Sequence, residues 1–60
     1  MSVHRKIEKF LRRTEMPASK FGRLAIGDPR LVHDLRNGRE LRPPTVARLE
    51  AYLAAQEVQP

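Results

Sequence analysis

The fold turns on Phe21-Gly22-Arg23-Leu24-Ala25-Ile26-Gly27-Asp28-Pro29-Arg30-Leu31-Val32-His33-Asp34-Leu35-Arg36-Asn37-Gly38. It holds two apolar stripes at helical spacing, parted by a short turn. Phe21, Leu24 and Ala25 define the inner face of a helix expected over Ala18–Ala25, with Pro17 suited to a position at or just before its start. Gly22 sits inside that helix, where glycine costs up to about 1 kcal/mol against alanine. A glycine tolerated there implies that something packs close to the backbone. Ile26-Gly27-Asp28 reads as the turn. Asp28 followed by Pro29 is a helix-start signal, an N-cap acceptor and then proline at the first helical position. The next helix is expected over Pro29–Asn37, with Leu31, Val32 and Leu35 inward and Gly38 ending it.

Two flanking helices complete the pattern. Val3, Ile7, Phe10 and Leu11 share one face of a helix expected over Val3–Arg13, capped by Ser2, with Glu8 and Arg12 as an i,i+4 pair on the outer side. Met16 is placed to pack on Phe21 as a hydrophobic staple. After the connector Arg39-Glu40-Leu41-Arg42, the Pro43-Pro44 pair opens a last helix expected over Pro44–Ala55, with Val46, Leu49 and Leu53 inward and Tyr52 suited either to the core beside them or to an interface. Residues 56–60 are expected to fray. No segment alternates as a strand does. The expected fold is all-α, a compact bundle of four short helices with a central helix-turn-helix, spanning residues 1–60 as one domain.

Composition narrows the function classes. Sixty residues support one small core and leave little chain for a catalytic cleft or a cofactor domain, so neither an enzyme nor a cofactor is expected. Ser19, His33 and Asp34 contain the letters of a triad, but the chain offers no pocket to hold a substrate. There is no cysteine, and His4 and His33 have no metal-ligand spacing, so no metal site is expected. No apolar run reaches membrane-spanning length and the N-terminus lacks a signal-peptide stretch, which sets the expectation of a cytoplasmic, nucleoid-associated protein with no membrane partner and no small-molecule effector. The net charge is +5, from 12 Lys and Arg against 7 Asp and Glu. Residues 1–42 carry 11 of the cations against 5 acids, a net +6, whereas residues 43–60 carry −1. Regional basicity of this kind suits a polyanionic partner.

Two short helices joined by a glycine-containing turn form a helix-turn-helix arrangement, in which the later helix enters the DNA major groove. The third helix offers a polar outer side for that purpose: Arg30, His33, Asp34 and Asn37 at i, i+3, i+4 and i+7. In addition, Phe21-Gly22-Arg23-Leu24-Ala25, Val32, Leu35, Gly38-Arg39 and Pro43-Pro44-Thr45-Val46 resemble the lambda-repressor-like (Cro/repressor, Xre) helix-turn-helix family. The likeness spans about Ile7 to Leu53. It departs from the family pattern at Ile26, where the turn glycine usually stands, and at Ala18, where a glutamine often opens the second helix. The resemblance implies a transcriptional regulator, most simply a repressor acting by promoter occlusion, with an antitoxin or phage-type regulator as alternatives. A helical protein-interaction adaptor without DNA binding is the competing class.

Carried over by position, Arg30, His33, Asp34 and Asn37 are expected at base edges. Arg30 suits guanine O6 and N7, and Asp34 suits cytosine N4. Ser19, Lys20, Arg23, Arg36, Arg39 and Arg42 are expected at phosphates. One recognition helix covers too few base pairs to select a genomic site, so a weak homodimer on a palindromic duplex is expected, with Tyr52, Ala55 and Val58 at its interface.

Overall fold

A computed structural model describes residues 2–57. Four helices follow in order: α1 (Val3–Thr14), α2 (Ala18–Ile26), α3 (Leu31–Arg36) and α4 (Pro43–Glu57). Ser2 caps α1 by accepting the Arg5 backbone N–H at 3.2 Å. The helix ends at Glu15, whose φ of 58° is left-handed and whose N–H returns to the Leu11 carbonyl at 2.8 Å. Thr14 Oγ1 donates to the Phe10 carbonyl and accepts from Met16 N–H, which fixes the exit toward Pro17.

The core is a single cluster to which all four helices contribute. Ile7, Phe10 and Leu11 come from α1, Phe21 from α2, Leu31, Val32 and Leu35 from α3, and Leu49 and Leu53 from α4. Phe21 is its centre: its ring lies 5.7 Å from that of Phe10 and 5.5 Å from that of Tyr52, the latter edge-on at 83°. Met16 is half-buried against the same cluster, in the staple position ahead of α2. These contacts bury apolar surface and stabilise the fold in proportion to its area.

Several expected boundaries move. Residues Pro29 and Arg30 form a turn rather than the start of α3, because the Asp28 side chain accepts the Arg30 N–H at 3.0 Å and the Asp28 carbonyl accepts the Leu31 N–H at 3.1 Å. Asp28 is therefore not the N-cap of α3, which is Arg30 without a side-chain cap; Asp28 instead accepts the Arg30 N–H within the turn that leads into the helix. At its other end α4 is longer than expected. Pro43 is already helical, since a first-turn residue needs no N–H partner, and the Arg42 carbonyl accepts from Val46 N–H. Gln56 and Glu57 continue α4 instead of fraying. Leu24 is 51% exposed rather than inward. α2 turns Phe21 and Gly22 to the core instead.

Gly22 explains that rotation. A Cβ at Gly22 would collide with the Asp28 carbonyl oxygen and stand 3.1 Å from Leu31 Cβ. The turn after α2 crosses directly over this position, and the absent side chain brings α2 and α3 together. Gly27, with φ of 72°, directly follows the last residue of α2 and returns its N–H to the Arg23 carbonyl. Because α2 runs through Ile26, the glycine does come first in the turn.

Candidate functional site

α3 is held on three sides and open on the fourth. Leu31, Val32 and Leu35 anchor its inner side in the core. On one flank, Arg36 forms a bidentate pair with Glu8 of α1, Nε to Oε2 and Nη2 to Oε1, both at 2.8 Å. His4 Nε2 joins the same carboxylate at 2.9 Å. The Arg36 hydrogen bonds are the main reason the Glu8 carboxyl falls to about 2, with partial burial opposing them and His4 adding to them. The Arg36 guanidinium is correspondingly held above its usual range by Glu8.

On the other flank, Arg39 folds back along α3. Its backbone N–H reaches the Asp34 carbonyl at 2.9 Å. Its guanidinium Nη1 then lies 2.8 Å from Asp28 Oδ2 and 3.3 Å from Asp34 Oδ2. One arginine thereby ties the α2–α3 turn, the body of α3 and the connector that follows. Asp28 is lowered below the ordinary carboxylate range, first by Arg39 and then by the Arg30 backbone N–H. Arg39 is raised, chiefly by Asp28.

The open side carries Arg30, His33 and Asn37, all exposed. Asn37 Nδ2 is 3.1 Å from His33 Nε2, so the two side chains present one joined polar surface. Ser19, Lys20 and Arg23 are exposed on α2, and Arg42 is exposed just before α4. The side chains of Lys20, Arg23, Arg30 and Arg42 make no hydrogen bond or ion pair among the described residues. Residues 18–42 carry six cations against three acids, a net +3.

The residues expected at DNA thus separate into two groups. Arg30, His33, Asn37, Ser19, Lys20, Arg23 and Arg42 face solvent. Asp34, Arg36 and Arg39 are engaged with protein partners, and each would have to exchange or share that partner to meet a nucleic acid. The helical spacing suggested Glu8–Arg12, but Glu8 bonds Arg36 instead, because the planar guanidinium of α3 meets both carboxylate oxygens at once. Sequence spacing held no signal for that pair or for Asp28–Arg39. Their residues stand 28 and 11 positions apart and meet only through the tertiary fold.

Of the three residues expected at a dimer interface, Ala55 is exposed. Tyr52 is half-buried with its ring against Phe21, so much of it serves the core rather than an outer stripe. Val58 lies outside the described residues. Among the described residues no group of three or more His, Asp or Glu could hold a metal ion, and no helix is long and apolar enough to cross a membrane. No family model matches the chain, and neither a curated protein nor a solved structure matches it.

Proposed function

We propose that the chain binds double-stranded DNA sequence-specifically, with the open side of α3 in the major groove. The observation that carries the reading is the pinned helix itself. α3 is fixed by an apolar back and two ion-paired flanks, and it presents Arg30, His33 and Asn37 as a preformed polar edge beside the unpaired Lys20, Arg23 and Arg42. Rigid presentation of two or three side chains is what direct readout of base edges needs. In this reading Arg30 donates to guanine, His33 and Asn37 contact neighbouring bases, and Ser19, Lys20, Arg23 and Arg42 take phosphates. Asp34 serves by holding Arg39 along the flank of α3. The biological role is that of a small transcriptional regulator, most simply a repressor that occludes a promoter as a weak homodimer on a palindromic site.

Selection of bound fragments from random DNA, followed by mobility shifts at two salt concentrations, tests this. Arg30→Ala should cost roughly 1–3 kcal/mol on the selected site and little on random DNA. Arg42→Ala should weaken both alike and reduce the salt slope by about one. An adaptor that uses the same scaffold for a protein would show no salt-dependent affinity for duplex DNA.

A further inference from the structure

Five of the chain's Lys and Arg lie on α1 against one Glu, a net +4 within 12 residues. Because Ile7, Phe10 and Leu11 turn to the core, Arg5, Lys9 and Arg12, at i, i+4 and i+7, form one exposed stripe along the outer side of the helix. None of the three makes a hydrogen bond or ion pair among the described residues. Two acids that could neutralise the stripe are spent elsewhere. Arg36 takes both Glu8 oxygens and His4 joins them, on the flank that meets α3. Lys6 holds Glu50 of α4 at 3.1 Å. Glu15 directly follows α1, and with it residues 3–15 still carry five cations against two acids, a net +3.

We propose that this stripe is a second contact for duplex DNA, made to phosphates and blind to sequence, separate from the open side of α3. At about 1.5 Å per residue, the three cations climb about 10 Å along α1. A duplex presents one negative charge per about 1.7 Å of its axis, so each cation meets a phosphate without a fitted pocket. Contacts to phosphate hold a duplex without reading it, and they need exposed cations that no acid of the protein has already neutralised. Arg5, Lys9 and Arg12 meet that condition. The closed Glu8–Arg36 pair marks the flank toward α3, so the stripe and the α3 edge are distinct surfaces. The inference does not depend on what α3 reads.

Other occupants fit less well. α1 exposes no large apolar side chain, so an amphipathic protein segment would bury little apolar surface against it. Single-stranded nucleic acid would find no stacking platform, because Phe10 is only 3% exposed and the Arg13 guanidinium lies over its ring at 5.8 Å. A second copy of this chain would set the same cations against one another across a twofold axis.

The test is a titration of the isotopically labelled protein with a short duplex of random sequence, in a Lys20→Gln/Arg23→Gln/Arg42→Gln background that removes the phosphate contacts proposed around α3. Amide shifts should concentrate at Arg5, Lys9 and Arg12. The slope of log affinity against log salt should be about −2.7, three phosphates at about −0.9 each. Adding Arg5→Gln/Lys9→Gln/Arg12→Gln should weaken binding at least tenfold and flatten that slope, with the helical circular dichroism kept because Gln and Arg have similar helix propensity. Arg5→Lys/Arg12→Lys keeps the charges and should keep both affinity and slope. In the parent protein, shifts on α1 alone would sink the α3 reading and leave this one standing. The proposal is overturned if the background protein no longer binds random duplex, if its shifts stay on α2 and α3, if the α1 substitutions leave affinity and slope as they were, or if polyaspartate binds as tightly as the duplex.

Discussion

Replacing Gly22 by alanine puts one methyl group where α2, the turn and α3 converge. The new Cβ would meet the Asp28 carbonyl oxygen, and that oxygen cannot step aside. It accepts the Leu31 N–H at 3.1 Å, while the Asp28 N–H is itself donated to the Gly22 carbonyl at 3.0 Å. Alanine gains up to about 1 kcal/mol of helix propensity over glycine. Against this stand about 1–3 kcal/mol of overpacking and a further 1–3 kcal/mol if the Leu31 N–H loses its acceptor beside the buried Leu31 side chain. With all three terms in force the net loss is about 1–5 kcal/mol. A 60-residue domain has a total stability of roughly 3–9 kcal/mol, so Gly22→Ala removes a large share of it. Urea denaturation followed by circular dichroism reads the loss directly as a fall in midpoint at nearly constant slope. Gly22→Ser should behave the same way. A midpoint equal to or above that of the parent protein would refute the close approach of the turn to α2.

Three further outcomes follow from named contacts. Glu8 is lowered from 4.5 to about 2, so the folded state favours its ionised form. Its contribution is complete above pH 4.5 and disappears as pH falls toward 2; after screening by solvent it amounts to about 1 kcal/mol, and Glu8→Gln should remove that part of the acid-side slope in the denaturation midpoint. Asp28→Asn keeps an oxygen for the Arg30 N–H but loses the charge opposite Arg39, whereas Asp28→Ala loses both, so thermal denaturation should rank the parent above Asn and Asn above Ala. Tyr52→Glu should lower the denaturation midpoint of the monomer because its ring packs edge-on against Phe21, so a test of self-association is better made at the exposed Ala55, with Ala55→Arg read by sedimentation.

The four helices were legible because each core face repeats at helical spacing, and because Ser2, Gly22 and Asp28 each have a local reason for being where they are. Gly22 also marked a place where the turn after α2 and α3 approach the α2 backbone closely. The errors came where one local rule competed with another. Asp-Pro signals a helix start, but the Asp28 side chain captures Arg30 N–H first, and Pro29-Arg30 becomes a turn before α3 begins. Leu24 lies three residues after Phe21 and so looked buried, yet the approach of α3 to Gly22 rotates α2 and leaves Leu24 exposed. Spacing placed Arg30, His33 and Asn37 on the polar side of α3, but it also placed Asp34 there, which the structure turns to Arg39 on a flank. The ion-paired flanks were not, because Glu8–Arg36 and Arg39–Asp28–Asp34 exist only once α1, the turn and the connector have folded against α3.

Mapping backbone amide shifts on the labelled protein with a selected duplex locates the DNA-contacting surface residue by residue. The largest changes should fall at Arg30, His33 and Asn37, with smaller ones at Lys20, Arg23 and Arg42, and the whole pattern should weaken between about 50 and 200 mM salt. Shifts confined to α1 and α4, or none at all with duplex in excess at low salt, would contradict binding of DNA through α3.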